Sequence, residues 1–385
     1  MFKKEMFKNG KKGIIVFFIV LCLCLTLMAA GGCTAKTGDK MAQSSEEELQ
    51  SGTREITDDA GRKLVIPQEI SKVYGTSPVA TILVYTLAPE KLAGWNYELR
   101  KEDLKYLLPE THSLPNLGGW QSKNTGNIEE ILKAKPDVII SMGQITDTDI
   151  SLADKIQGQV GIPVIMVNLS LTEMDKAYDF MGDLLGKQER AKELGDYCKA
   201  TIQDIKAKAA MIPDDRKVKV YYAEGPEGLQ TEPEGSSHIE TLEIVGGLNV
   251  AADVPAAGKS GMTQVSLEQV LAWKPDVILS WNENQGGAYK LIISDERWSK
   301  LEAVKENRVY EIPNSPYNWF DRPPSVNRII GFKWLGNLLY PDVYNYDIVE
   351  EAKEFYRLFY HYPLSDQEAK ELLANSTFKL SAQDK

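Results

Sequence analysis

The fifteen residues 127–141, NIEEILKAKPDVIIS, recur 139 positions later as 266–280, SLEQVLAWKPDVILS. Each copy opens on a residue suited to a helix N-cap, Asn127 or Ser266, with Glu130 or Gln269 three places on, the spacing of a capping box. Apolar residues follow at helical spacing: Ile128, Ile131 and Leu132 in the first copy, Leu267, Val270 and Leu271 in the second. They predict one buried stripe on a short helix. Pro136 and Pro275 end the helices, because proline has no amide donor and turns the residue before it away from helical geometry. Val138-Ile139-Ile140 and Val277-Ile278-Leu279 then read as parallel strands buried on both faces. A helix feeding such a strand, used twice, predicts two α/β lobes of similar build. Glu129 and Glu268, at the second helical position, stand off the stripe; a carboxylate in the first turn gains roughly 0.3–1 kcal/mol from the helix dipole.

At 385 residues the chain exceeds one ordinary core and suits two domains. Its N-terminus reads as a secretion signal, with Lys3, Lys4, Lys8, Lys11 and Lys12 ahead of the apolar segment 13–28. Ala30-Gly31-Gly32-Cys33 resembles a bacterial lipobox, which makes 1–32 a cleaved signal peptide and Cys33 a lipidated N-terminus. Cys22 and Cys24 would leave with the signal, so Cys33 and Cys198 remain and no intramolecular disulfide is possible. Cleavage removes five lysines and one glutamate and moves the formal charge from −11 to −15. An exported chain this acidic carries no electrostatic footprint for nucleic acid. Residues 33–53 are polar and read as a disordered tether.

Globular structure is expected from residue 54. Residues 54–66 suggest a hairpin around Asp59-Ala60-Gly61, Lys72-Val73-Tyr74 a first core strand, 78–87 a helix, and Leu92-Ala93-Gly94-Trp95 a second strand. Trp120 follows a glycine pair, the first repeat runs into Gln144, and a strand at 162–167 completes the first lobe. Residues 171–211 hold no proline, and Gly186 divides them into two helices. The second, of about 25 residues, would span roughly 37 Å, enough to run along two lobes. Cys198 lies on its apolar stripe with Leu194, Ile202 and Ile205, a core position rather than a reactive thiol. The second lobe opens with a strand at 218–222 leading to Glu224, then a helix at 238–244 ended by Gly246-Gly247, the second repeat leading to Trp281, and a strand at 308–312. The loop 314–324, NSPYNWFDRPP, precedes a largely helical stretch from Ser325 to Leu373.

A lipobox, two copies of the repeat, one long connecting helix and a late W-F-D-R-P element together resemble one class of bacterial substrate-binding proteins. These serve ABC importers of ferric siderophores, haem and cobalamin, and the likeness covers residues 54–375. It implies two Rossmann-like α/β lobes, 54–170 and 212–345, joined by one long helix within 171–211. C-terminal helices and a tail occupy 346–385, and the ligand cleft lies between the lobes, with small closure across a helical bridge. It further implies an extracytoplasmic, lipid-anchored monomer that has no cofactor of its own. Such a protein hands a metal chelate to a permease dimer with its ATPase. Glu129 and Glu268 would dock on arginines of the two permease subunits. Ligand loops in α/β lobes lie beyond the carboxyl ends of strands, which selects Ser77, Trp95, Tyr97, Trp120, Gln144, Glu224, Trp281, Tyr317, Trp319 and Arg322. Met262 stands where the cobalamin-binding member has a tryptophan, a departure that weakens a corrinoid assignment. Arg322 would supply the positive charge for an anionic chelate.

Other classes fit less of the chain. Only His112, His238 and His361 are present, too few for a receptor of bare divalent cations. His238, in SSHIETLE, reads equally as a helix start or a ligand contact. Ser77, His238 and Asp321 suggest a hydrolytic triad, but no G-x-S-x-G elbow frames the serine, and neither a P-loop nor G-x-G-x-x-G follows a strand. An exported sensor lipoprotein would use the same cleft without needing the two docking glutamates.

Overall fold

The computed structural model describes residues 52–120, 124–258 and 261–378. The signal segment 1–32, Cys33 and nearly all of the 33–53 tether lie outside the described residues. Thr53–Thr57 (β1) and Lys63–Pro67 (β2) form an antiparallel hairpin. Val73–Gly75 (β3), Val138–Gly143 (β4) and Val164–Asn168 (β5) make the parallel sheet of the first lobe, in that order. In the second lobe come Lys219–Ala223 (β6), Gln230–Thr231 (β7), Leu248–Asn249 (β8), Thr263–Gln264 (β9), Val277–Ser280 (β10) and Val309–Glu311 (β11). Its parallel sheet runs β11-β10-β6-β8, and β7 pairs with β9 antiparallel. The lobes share no strand. The segment expected as a strand at 92–95 is held instead by two isolated bridges, Val73 to Leu92 and Trp95 to Asn116.

Strand alternation sends successive side chains to opposite faces of each sheet. Val73, Val138 and Ile140 join a large core cluster on one face, while Tyr74 and Ile139 join a smaller one on the other. The second lobe repeats this with Val220, Val277 and Leu279 against Tyr221 and Ile278. Both faces are covered, which is why the strands carry continuous apolar runs.

The two repeats fold alike. Ile128–Ala134 starts at Asn127, whose side chain accepts from the Glu130 amide, and Leu267–Trp273 starts at Ser266 in a full capping box with Gln269. Lys135 (φ 53°) and Lys274 (φ 51°) end them in the left-handed region, an outlet for residues that the following proline bars from α geometry. One residue of each helix is fully buried, Ile131 and Val270. Leu132, expected on the buried stripe, is 44 % exposed, because a two-turn helix lying on a sheet can cover only a narrow strip. The aspartates that follow the prolines fix strand register. Asp137 Oδ2 accepts from the amides of Ser71 and Lys72 (2.7 and 2.8 Å), and Asp276 Oδ2 from that of Lys219 (2.9 Å). Tyr74 and Tyr221, paired with Ile139 and Ile278, also match: each hydroxyl donates to a glycine carbonyl, Gly118 or Gly228, at 2.8 Å.

Met174–Leu185 ends at Gly186 (φ 68°), and the 22-residue helix Gln188–Ala209 then joins the lobes. Arg328–Leu339 packs against it. The following chain returns to the first lobe, where Tyr85 donates to the Tyr360 carbonyl (3.4 Å) and the Tyr106 ring meets Tyr356 edge-on at 5.4 Å. One core cluster therefore threads the inner faces of both sheets and the helices between them.

Candidate functional site

The parallel strands of both lobes deliver their carboxyl ends to one region. There a cavity of ≈ 800 Å³ opens between Gln144, Asp149, Leu169 and Ser170 of the first lobe and a wall of the second. That wall comprises 232–238, Glu240, Glu243, 256–258 and Arg328. Gln144 follows β4 and Ser170 follows β5, whereas the facing wall is loop and the start of a short helix.

Behind this wall lies a buried ionic hub. Arg322 Nε donates to Glu224 Oε1 at 2.7 Å and lies 3.3 Å from Asp321 Oδ2, while Nη2 donates to Glu232 Oε1 at 2.7 Å. The three carboxylate side chains are at most 1 % exposed. The guanidinium also sits 5.6 Å from the Trp281 ring centre, and Trp281 Nε1 donates to the Tyr222 hydroxyl at 2.6 Å. Burial pushes the Glu224 carboxyl up to about 8 against the pull of Arg322. Burial also works against the Arg322 charge, but Asp321 and Glu224 hold its pKa above the ordinary value. Glu232 ties the hub to the cavity wall, since it also accepts from Ser236 Oγ (2.8 Å) and the Met262 amide (2.7 Å). His238 reaches the hub from the cavity, its Nδ1 2.7 Å from Asp321 Oδ1. Arg328, 2 % exposed, donates to Glu240 Oε2 (3.1 Å) and the Ser237 carbonyl (3.0 Å).

Of the residues selected from sequence, Gln144 lines the cavity, and Glu224, Trp281 and Arg322 form the hub with Met262 attached through its amide. Two selections need correction. Trp95 is 3 % exposed, donates to the Thr111 carbonyl (2.8 Å) and packs on Tyr85, while Trp319 is fully buried near Tyr356. Both rings turn into the core, and neither residue stands at a strand end: Trp95 lies on an isolated bridge and Trp319 in the loop after β11. The expected free counter-charge is corrected too: Arg322 is matched by three carboxylates in this structure. Tyr97 is 37 % exposed, Trp120 is half-buried near Tyr74, Tyr317 is 5 % exposed, and Ser77 Oγ is buried without a partner among the described residues. Sequence reasoning missed Glu232, Ser236, Ser237, Glu240 and Arg328. Glu232, Ser236, Ser237 and Glu240 share one signal, the mostly polar run 232–243, whereas Arg328, at the start of the helix Arg328–Leu339, carries none.

Glu129 and Glu268 are both exposed on the first turns of their helices. Across the lobes on another edge, Arg100 donates to the carbonyls of Asn314 (3.1 Å) and Asn284 (3.4 Å), and Ser315 Oγ donates to Asp103 (3.0 Å).

Residues 92–316 match the periplasmic binding protein family (Peripla_BP_2). The molybdate-binding protein MolA of Haemophilus influenzae is 30 % identical over 338 residues, covering 80 % of this chain and 91 % of MolA. The high-affinity haem uptake system protein IsdE of Staphylococcus aureus is 27 % identical over 198 residues, 50 % of this chain and 64 % of IsdE. Among solved structures, an ABC transporter solute-binding protein from Sulfurospirillum deleyianum superposes with a TM-score of 0.77 at 35 % identity, covering 83 % of this chain and 99 % of that one. With its two α/β lobes and the cleft between them, the chain belongs to the periplasmic binding protein family: it is a substrate-binding protein of an ABC importer, which works with a permease and its ATPase and is not an enzyme.

Proposed function

We propose that the chain is an extracytoplasmic lipoprotein, anchored through Cys33, that delivers a metal chelate to its importer. A ferric siderophore is the first choice, and haem and a corrinoid are the other two. The observation that carries this reading is the cavity itself. Its ≈ 800 Å³ falls in the range of roughly 300–1,000 Å³ that accommodates a drug-sized ligand, and its walls offer amide, hydroxyl and carboxylate groups from both lobes. Glu129 and Glu268 support docking as a monomer on a twofold permease, since the repeat places equivalent exposed carboxylates on the two lobes. Molybdate, the ligand in MolA's name, would leave most of this volume to water.

Tryptophan fluorescence of the full chain in detergent, titrated with ferric siderophores, haem, cobalamin and molybdate, tests the reading. Trp281 stands next to the hub and reports on the wall. Saturable quenching by a chelate is expected; saturation by molybdate alone would overturn it. The anchor is tested separately by radiolabelled fatty acid, which Cys33→Ala should fail to incorporate.

A further inference from the structure

The cavity carries an excess of one sign of charge. Asp149 faces Glu232, Glu234, Glu240 and Glu243 across the cleft, five carboxylates on one lining. The positive groups of the same lining are Arg328 and, when protonated, His238, and each is already held by a carboxylate, Glu240 or Asp321. Arg322, behind the wall, is shared by Glu224, Asp321 and the lining Glu232, so Glu232 is matched by a cation just as Glu240 is matched by Arg328. Lys259, which follows the lining Gly258 and lies outside the described residues, still leaves the lining acidic. Among the described residues, Asp149, Glu234 and Glu243 have no cationic partner.

From this arrangement, and resting on the chelate reading above, we infer that the ligand is a cation: a metal chelate of net positive charge. Like charges facing one another across a gap repel, and a positive guest removes that repulsion from both walls at once. Arg328 lines the cavity, 2 % exposed, with its guanidinium held by Glu240 and the Ser237 carbonyl, so it offers an anionic guest no free charge. An anionic catecholate chelate or a tetrahedral oxyanion would face Asp149, Glu234 and Glu243, three carboxylates with no cationic partner among the described residues.

The test is calorimetric titration of the full chain in detergent with ferrioxamine B (a cationic ferric hydroxamate), ferrichrome (a neutral one), ferric enterobactin (anionic), molybdate and the metal-free cation spermidine. Ferrioxamine B is expected to bind at least tenfold more tightly than ferric enterobactin, with the gap shrinking in 1 M salt, where the screening length falls to about 3 Å. Replacing Glu234→Gln and Glu243→Gln together, with the melting curve unchanged, is expected to weaken ferrioxamine B about tenfold and ferrichrome far less. Tighter binding of ferric enterobactin or molybdate than of either cation overturns the charge inference and leaves the site itself standing. Binding of spermidine without any of the three chelates overturns the chelate reading and keeps the charge inference.

Discussion

Replacing Arg322 by alanine separates two roles that an arginine beside the cleft can have, binding the ligand and holding the wall. In the structure its guanidinium is the cation shared by Glu224, Glu232 and Asp321, all essentially inaccessible to water. Removing one partner from a buried ion pair costs roughly 3–5 kcal/mol, because the charge left behind has neither water nor a counter-ion. Here three carboxylates lose one cation, yet Glu224 offers partial relief. With its pKa already near 8 it holds a proton at neutral pH, so the variant is left with Glu232 and Asp321 to accommodate. The lower end, about 3 kcal/mol, is therefore expected at pH 7, and more at pH 9, where the wild-type Glu224 is ionised and paired. At roughly 2 °C per kcal/mol for a chain of this size, the melting temperature should fall by about 6 °C at pH 7. Ligand affinity should also fall, through the wall: Glu232 loses its anchor, and with it the hold on Ser236 and the Met262 amide loosens. Arg322→Lys should recover part of the stability, since an ammonium meets one carboxylate well but cannot bridge two. Scanning calorimetry at pH 6, 7 and 9 beside ligand titration decides the matter. An unchanged melting temperature at every pH with lost affinity would show that Arg322 serves the ligand and refute this account.

Glu224→Gln should change the pH profile rather than the fold. The folded-state pKa near 8 lies above the ordinary value near 4.5, so the native state keeps a proton that the unfolded chain has lost. Wild-type stability should therefore fall by about 1.4 kcal/mol per pH unit between roughly pH 4.5 and 8, and a denaturant series should find that slope reduced in the glutamine variant. Reversing Glu129 and Glu268 to lysine together should abolish uptake while ligand affinity stays near wild type; equal loss of both would make these carboxylates structural. Asp276→Ala removes the acceptor for the Lys219 amide, and a loss of about 1–3 kcal/mol is expected by urea unfolding, with a similar loss for Asp137→Ala. Cys198 is fully buried, and burial pushes its thiol up, so an aromatic disulfide reagent should label it only after unfolding.

What could be read from the chain beforehand was local. The repeat helices, their caps, the break at Gly186 and the two-faced strands each depend on residues within one or two turns of one another, and sequence spacing records that range directly. The hub does not. Glu224, Glu232 and Arg322 meet only because β6 ends where the loop after β7 turns back and where the chain beyond β11 crosses over, so residues 90 and 98 apart in sequence come within 2.7 Å. No periodicity reports such a meeting. The tryptophans show the complementary limit: Trp95, at the end of a segment that reads as a strand, and Trp281, just after β10, look alike in sequence, but one faces the core and the other the hub. Leu132 shows it again, since spacing places it on a stripe but the width of the covered strip is set by the sheet beneath.

The same long-range packing constrains how the lobes can move. A bridge made of one helix would permit some bending, but the helix Gln188–Ala209 is not the sole connection. The C-terminal chain leaves the second lobe through Arg328–Leu339, which packs on the bridge, and then seats Tyr356 and Tyr360 against Tyr106 and Tyr85 of the first lobe. Arg190 on the bridge donates to the Leu358 carbonyl, joining the two connections, and Arg100 binds two carbonyls of the second lobe directly. A wide hinge swing would have to open a core cluster in which most of these aromatic side chains are inaccessible to water. Sliding of packed helices by small amounts disrupts far less. The lobes are thus expected to keep nearly one spacing whether or not a ligand is bound, and so are the proposed docking carboxylates they carry. On that expectation, the proposed docking would distinguish loaded from empty protein through the cavity wall, where the loop 232–238 is held through Glu232 to Arg322, and not through a large change in the distance between Glu129 and Glu268.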